Sequence, residues 1–328
     1  MDIRNIQKTG GQSYIVTLPK DWITSNFMKD KDKVKVFNHR RYLNIVPFAY
    51  KKSERYPICL IDSLSKQQIE REIIGYYLSG ADNIIVKADI ITYEQRAAVR
   101  QISYRLIGCE CLESTTNQML LKITSSQISS LTPEYVKKMI SIIISMYGDT
   151  IQSLEQGDKA MARDVIERDM EPDRLHLVII RSNNIRLNEI EMEEEEALSL
   201  LDSHFYEIVA IRLERIADHV VKIGKYYLLT EKKYKVSFSP SEKSIVKNTL
   251  KNLLYCQEML FSIDKNKAHN YLGIFDDFTN LQMTKKYSNH DYFNLVVTES
   301  MSRINSYIAN ISEAVINYSN SKSVLSQT

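Results

Sequence analysis

The stretch FYEIVAIRLERIADHVVKIGKYY, residues 205–227, places an apolar side chain at every third or fourth position. Such steps put the side chains along one face of an α-helix. The face consists of Phe205, Val209, Leu213, Ile216, Val220, Ile223 and Tyr227. An apolar face of this length sustains packing against two other helices. The pattern therefore predicts a long helix, from about Asp202 to Leu229, within a helical bundle.

Carboxylates lie on the opposite face of this predicted helix. Glu214 and Asp218 are four residues apart and are therefore neighbours on the helix surface. Two like charges at that spacing destabilise a helix by roughly 0.2–0.5 kcal/mol unless a positive group lies between them. Asp169 and Asp173 repeat the spacing on the preceding predicted helix. The two pairs could face one another, and such hard oxygen ligands suit Mg, Mn or Fe.

The same carboxylates can be explained without a metal. Lys222 follows Asp218 by four residues and Arg215 adjoins Glu214, so salt bridges on a solvated surface would account for the pattern. Pro172, which has no N–H group, lies between the two aspartates and would kink their helix. Both explanations stay open at this point.

Helical patterns of this kind continue through residues 126–328. The chain has 9 Gly and 6 Pro in 328 residues, well below the usual shares, which favours long helices. We predict two tandem three-helix bundles, residues 132–232 and 239–320. The expected helices are Pro133–Leu154, Lys159–Asn183, Asp202–Leu229, Glu242–Ile263, Lys265–Lys286 and Asp291–Tyr318.

The segments VIERDMEPDRL (165–175) and RLERIADHVVKI (212–223) resemble the paired E(D)-x-x-x-D signatures of the PhoU family of phosphate-uptake regulators. The resemblance implies a tandem three-helix bundle that regulates phosphate import through protein contacts, with a transporter ATPase or a signalling protein as the expected partner. It also implies metal ions of unresolved identity (Fe, Mn, Mg or Zn) at Asp169, Asp173, Glu214 and Asp218. In the second half Ser302 and Ser306 occupy the positions equivalent to Glu214 and Asp218, so a second cluster is not expected.

Residues 1–55 form a basic head. They contain twelve Lys/Arg against five Asp/Glu, a net charge of +7, whereas the remainder of the chain carries −5. This asymmetry indicates a polyanion-binding surface, with an ordinary solvated lysine surface as the alternative. The pattern predicts a hairpin that turns at 8–12, a helix after Pro19 that includes Phe27, and strands at 33–38 and 42–47. A unit this small buries little core, so dimerisation is expected.

The stretch IQKTGGQSYIVTLPKDW, residues 6–22, resembles the T-G-G-x-S-x-x-V-T-L-P-K-x-W segment of the swapped-hairpin DNA-binding domains of the AbrB/SpoVT/MazE superfamily. The resemblance implies that residues 1–47 form an intertwined homodimer that grips the DNA backbone. By position it assigns DNA contacts to Arg4, Lys8, Ser13, Lys20, Arg40 and Arg41. Affinity should then fall steeply with salt.

Residues 48–125 alternate short apolar strands with helical patterns and predict a small α+β spacer or dimerisation domain. Ser65 and Thr92 stand where helix N-caps belong, and Gly80 and Gly108 where helices should end. Neither G-x-G-x-x-G nor G-x-x-x-x-G-K-[ST] occurs, so a nucleotide-binding fold is not expected.

The fold class predicted for the whole chain is therefore α+β multidomain: a swapped-hairpin β domain, an α+β middle domain and an all-α PhoU-like body. The first residues show no signal peptide, and no apolar run is long enough to cross a bilayer, so we expect a cytoplasmic protein with reduced cysteines. We predict a non-enzymatic, DNA-binding regulator of phosphate uptake. The alternatives are a metal-binding adaptor that regulates a transporter without DNA, and a carboxylate-bridged metal protein.

Overall fold

The computed structural model describes residues 3–39, 42–48, 55–124, 131–188, 199–230, 236, 238–283 and 292–326. The chain divides into two compact units, Met1–Glu54 and Arg55–Thr328. The α+β part and the helical body, which the sequence analysis separates at residue 125, thus belong to one unit. No helix in the described ranges is both long and apolar enough to cross a membrane.

The first unit consists of two antiparallel hairpins and one short helix. Its elements are β1 (Gln7–Thr9), β2 (Ser13–Ile15), α1 (Lys20–Ser25), β3 (Val34–His39) and β4 (Tyr42–Pro47). β1 pairs with β2 and β3 pairs with β4. Gly10 has a φ of 58° in the turn between β1 and β2, a left-handed conformation that glycine adopts without steric cost.

The helix α1 is shorter than the sequence analysis predicts. The backbone N–H of Met28 donates to the carbonyl oxygen of Ile23 at 3.0 Å, a bond that closes a helix end when the residue before it is left-handed. That residue, Phe27, has a φ of 53° and is 91% exposed. The expectation that Phe27 lies in the helix is therefore wrong.

None of residues 3–38 and 43–48 is buried in the single chain. Large apolar side chains are exposed instead, among them Tyr14 (69%), Val36 (54%) and Leu43 (57%). The unit therefore has no hydrophobic core of its own. The exchange of hairpins between two chains stays a prediction.

The second unit opens with a four-stranded sheet and two helices. The elements are β5 (Ile58–Leu60), α2 (Lys66–Leu78), β6 (Asn83–Lys87), α3 (Tyr93–Arg105), β7 (Cys109–Ser114) and β8 (Gln118–Ile123). The strand order is β5-β6-β8-β7, with β5 parallel to β6 and the other pairs antiparallel. This part has its own apolar core, which includes Cys59 and Cys109.

The predicted helix ends of this part are confirmed. Ser65 and Thr92 cap α2 and α3, each in a capping box with the glutamine three residues later. Gly108 has a φ of 77°, and a Cβ atom there would meet the carbonyl oxygen of Thr124 at 2.5 Å. Only glycine fits that turn.

In the described residues of the first bundle there are four helices rather than the three predicted. They are α4 (Thr132–Gln156), α5 (Lys159–Arg168), α6 (Met170–Asn188) and α7 (Leu200–Leu229). The helix expected at Lys159–Asn183 is interrupted at Asp169 and extends to Asn188. Pro172 has no N–H group to donate to the carbonyl oxygen of Arg168, which explains the interruption. The predicted kink is thereby confirmed.

The second bundle is built from α8 (Pro240–Ser262), α9 (Lys265–Met283) and α10 (Tyr292–Ser326). Its core holds a polar network centred on Asn305, which is fully buried. The Asn305 side chain donates to the Thr249 hydroxyl at 2.9 Å and accepts from Asn252 at 2.7 Å and from the Tyr271 hydroxyl at 3.2 Å. A satisfied buried network of this kind specifies how helices pack.

α7 is the central helix of the body, and all seven predicted apolar residues of its face are at most 3% exposed. It packs against α4, α5, α6 and α10. The predicted apolar face of residues 205–227 is therefore confirmed.

A buried arginine joins the body to the α+β part. Arg181 of α6 is 0% exposed. Its guanidinium donates to the carbonyl oxygens of Tyr77 and, at 2.9 Å, Ala81, and it lies 4.8 Å from the centre of the Tyr77 ring. The adjacent Asn184 amide donates to the carbonyl oxygen of Leu78 at 3.0 Å. α6 thereby supplies the hydrogen-bond donors that the end of α2 lacks.

We expect the substitution Arg181→Met to destabilise the second unit by about 2–4 kcal/mol. Methionine keeps most of the volume, but it leaves the Ala81 carbonyl oxygen without its donor and leaves that of Tyr77 with only the backbone N–H of Gly80. Each hydrogen bond lost from a charged group is worth about 1.5–3 kcal/mol. Urea unfolding followed by circular dichroism measures the change. Arg163→Met, at an exposed position of α5, is the matched control and should stay within about 0.5 kcal/mol of the parent. Equal midpoints for the two variants would contradict the role given to Arg181.

Candidate functional site

The structure brings the two predicted carboxylate pairs together. Asp169 lies at the break between α5 and α6, and Asp173 lies in the first turn of α6. Glu214 and Asp218 lie on the face of α7 that is turned towards them. The charge of Asp218 acts on both aspartates of the other pair, and both of those act on Glu214. We call these four residues the carboxylate cluster.

Burial and mutual repulsion favour the protonated forms of the cluster. Burial, followed by the charge of the neighbouring aspartate, raises the pKa of Asp169 to about 6 and that of Glu214 to about 7. Burial also raises the pKa of Asp173, against the opposing effect of Arg105. One carboxylate oxygen of Asp169 is buried without a hydrogen-bond partner. The cluster is therefore an energetically costly arrangement of charge, as functional sites often are.

Arginines compensate part of this charge. Arg105, the last residue of α3, forms an ion pair with Asp173 at 3.4 Å. Arg215 forms ion pairs with Glu214 at 3.4 Å and with Asp218 at 3.0 Å. The salt bridge expected from Arg215 is thus present. Lys222, expected near Asp218, instead pairs with Glu299 of α10 at 2.9 Å.

Arg105 is a site residue that the sequence analysis missed. It is 68 residues from its partner in the chain and belongs to the α+β part. Its position in the last turn of a helix is a common place for a basic residue, so no sequence pattern singled it out. The carboxylate cluster therefore lies where the α+β part contacts the helical body.

A metal ion does not fit the cluster as it is arranged here. Across the described ranges, no three His, Cys, Asp or Glu side chains lie close enough to share an ion. Arg105 and Arg215 contact carboxylates that would have to serve as ligands. His176, a turn from Asp173, has its pKa lowered to about 4 by burial and by Arg215, and is therefore neutral. The metal site stays a prediction.

The equivalent positions of the second bundle lack carboxylates, as the sequence requires. The hydroxyl of Ser306 donates to the carbonyl oxygen of Ser302 at 3.0 Å, within its own helix. These two side chains therefore offer no counterpart to Glu214 and Asp218.

The predicted DNA contacts lie in the first unit, at exposed positions. Lys8 is on β1 opposite Tyr14, and Ser13 begins β2. Lys20 is the first residue of α1. The guanidinium of Arg4 donates to the Thr17 hydroxyl at 3.3 Å.

The other two predicted contacts, Arg40 and Arg41, lie outside the described residues. The remaining four, Arg4, Lys8, Ser13 and Lys20, are all exposed among the described residues of this unit, where a polyanion can reach them.

Comparison with known proteins gives one family match. Residues 136–227 match the PhoU domain family. The matched range runs from α4 to α7 and includes all four residues of the carboxylate cluster, so this part of the body is PhoU-like. No curated protein matches the chain.

Among the solved structures that match part of the chain are two PhoU proteins. PhoU from Pseudomonas aeruginosa is 16% identical, with a TM-score of 0.49, and the match covers 58% of this chain and 96% of that one. The phosphate transport system regulatory protein PhoU from Streptococcus pneumoniae is 17% identical, with a TM-score of 0.43, over 57% of this chain and 93% of that one.

The raised pKa values predict how stability varies with pH. In the folded state Glu214 (pKa about 7) and Asp169 (pKa about 6) hold protons that the unfolded chain has already released. The stability that they contribute is complete below their unfolded values and is lost as the pH rises towards 7. We therefore expect Glu214→Gln to raise the free energy of unfolding at pH 8 by about 1 kcal/mol, after allowance for solvent screening.

Chemical denaturation at pH 5 and pH 8 measures this effect. The gain should be smaller at pH 5, where the Glu214 side chain is already protonated. Glu167→Gln, at an exposed position of α5, is the control and should change stability equally little at both values. A loss of stability in Glu214→Gln at pH 8 would show that the cluster does not carry the proposed repulsion.

Proposed function

We propose that this chain, part of which matches the PhoU domain, is a DNA-binding transcriptional regulator of phosphate uptake. In this proposal the first unit binds DNA as a homodimer. The helical body senses phosphate status, directly or through a partner such as a transporter ATPase or a signalling protein. The observation that carries the proposal is the presence, in one chain, of a PhoU-domain match and a separate basic unit.

The DNA half of the proposal is supported by charge and exposure. Residues 1–55 carry a net charge of +7, and Lys8, Ser13 and Lys20 all lie on the surface. Lysines of this kind neutralise phosphates and release counterions, whereas the hydroxyl donates to a phosphate oxygen. Phosphate contacts position a protein on the duplex but do not select a sequence.

The homodimer is supported by the missing core of the first unit. None of residues 3–38 and 43–48 is buried, and a folded unit of this kind is stabilised when its exposed apolar side chains pack against another surface. A second copy of the same unit supplies matching apolar side chains and doubles the positive charge that faces the DNA.

Regulation is supported by the contacts of α6. Asp173 of the carboxylate cluster and the buried Arg181 lie on this helix, and both contact the α+β part. Partner or ligand binding that changes the charge of the cluster would alter the ion pair with Arg105. The α+β part follows the first unit directly in the chain, so it is the route by which such a change would reach the DNA-binding unit.

Two other functions remain as outcomes of experiment. One is an adaptor that regulates a phosphate transporter by protein contact without DNA. The other is a carboxylate-bridged metal protein. We propose no catalytic activity for the chain.

We expect the double substitution Lys8→Ala with Lys20→Ala to weaken DNA binding. The slope of log affinity against log salt should fall by about two units for each chain on the duplex, because each phosphate contact contributes roughly 0.9. Fluorescence anisotropy with DNA from upstream of the protein's own gene, over a salt series, gives the slope. Light scattering on the same samples reports whether the protein is a dimer.

Lys243→Ala with Lys247→Ala is the matched control, because it removes the same charge from exposed positions of α8. That variant should bind DNA with the slope of the parent. Equal slopes in all three proteins would overturn the contact assignment. If the parent chain does not bind duplex DNA at low salt, the adaptor that regulates a transporter without DNA becomes the favoured function.

Elemental analysis of the purified chain tests the metal site. If metal binds at the cluster, the parent carries Fe, Mn, Mg or Zn and the Glu214→Ala with Asp218→Ala variant loses it. Metal retained by the double variant places the ion elsewhere. A metal-free parent that binds no added Mn²⁺ removes the metal protein from consideration.

A further inference from the structure

A cleft lies between α7 and α10, away from the carboxylate cluster. The two helices run antiparallel, with the rings of Phe205 and Tyr318 stacked at 4.3 Å and Lys222 paired with Glu299 further along. The cleft has a volume of about 380 Å³, within the range of pockets that bind small molecules. The residues that line it come from the first half of α7 and the second half of α10.

Two opposite charges line this cleft without meeting. Arg212 and Glu313 both face it, and within the described part of the chain no ion pair joins them. Among the described residues, the Nε atom of Arg212 is buried without a hydrogen-bond partner, so it is also out of reach of a ligand in the cleft. The rest of the guanidinium lines the cleft, and no described carboxylate forms an ion pair with it. A charged group without a counter-charge is expensive to keep partly buried, so the cleft favours an anionic group beside Arg212.

The carboxylate of Asp202, near the cleft, differs from the two charges of the cleft because it has partners. Asp202, also between α7 and α10, contacts Lys322 at 2.7 Å and accepts from the Tyr318 hydroxyl at 2.6 Å. These contacts hold its pKa at about 2 despite partial burial. The same helix pair therefore provides partners for one partly buried charge and leaves the charges of the cleft apart.

The remaining lining is mixed in character. Phe205, Ile208 and Ala314 supply an apolar wall, and the side-chain amides of Asn310 and Asn317 supply both donors and acceptors. A matching ligand needs an anionic group for Arg212, a cationic donor for Glu313 and an apolar portion between the helices. An α-amino acid combines all three, because its carboxylate and ammonium groups are separated by a single carbon atom.

We propose that the cleft between α7 and α10 binds a free α-amino acid with an apolar side chain, whose carboxylate contacts Arg212 and whose ammonium group contacts Glu313. This inference goes beyond the proposed function and does not rest on it. Arg212 lies two residues before Glu214 on the other side of α7. Occupancy of the cleft would therefore act on the helix that carries half of the carboxylate cluster.

Isothermal titration calorimetry of the full-length chain with each of the twenty amino acids tests the proposal. AMP, GMP and inorganic phosphate are titrated for comparison. We expect at least one apolar or aromatic amino acid to bind. Arg212→Met and Glu313→Gln should each weaken that binding about tenfold or more, as the loss of a charge-assisted hydrogen bond does. Arg163→Met, at an exposed position of α5 that does not line the cleft, is the control and should bind like the parent.

Glu313 is exposed, so Glu313→Gln keeps the test informative if Arg212→Met does not fold. Arg212→Lys, which retains the charge, should recover part of the affinity. Three results would overturn the proposal: no amino acid binds, binding survives in Glu313→Gln, or the nucleotides or phosphate bind and the amino acids do not.

Discussion

The buried guanidinium of Arg181 is the contact on which the arrangement of the second unit depends. A fully buried charge is stable only where hydrogen bonds replace its hydration, and here the end of α2 supplies the acceptors. The contact fixes α6 against the α+β part. Asp173 lies two turns earlier on the same helix, so its distance from Arg105 of α3 is fixed as well. The contact thereby helps to place the Asp173 half of the carboxylate cluster, while core packing holds α7 beside it.

α7 connects two chemically different surfaces. One side of the helix carries Glu214 and Asp218 against α6, where repulsion and burial disfavour ionisation. Another side carries Arg212 against α10, where a positive charge has no partner in the described residues. The apolar face between them holds the helix in the core. One helix therefore carries both charged surfaces.

The first unit is organised by a different constraint. Its hairpins and helix form locally, yet its apolar side chains remain on the surface of the single chain. The second unit, by contrast, buries two apolar clusters within one chain. The sequence of the basic head encodes strands and positive charge. Its exposed apolar side chains are the strongest structural argument for a second copy.

Much of the fold could be predicted from the sequence because its signals are local. Hydrophobic periodicity located the apolar face of α7, the hydroxyl side chains of Ser65 and Thr92 marked helix starts, and Pro172 marked the break before α6. These signals act over three to five residues, the range of a helical turn. The misplaced end of α1 is also local: Phe27 adopts a left-handed conformation, which periodicity does not register.

The sequence by itself determined the strands, most of the helices, the basic head and the carboxylate spacing. Only the tertiary structure decided which charges meet: Arg105 with Asp173 across 68 residues, and Arg181 with the end of α2 across about 100. It also decided that Arg212 and Glu313 share a cleft without pairing. These contacts depend on how whole helices pack, and packing is set by the shape of buried surfaces rather than by the spacing of residues along the chain.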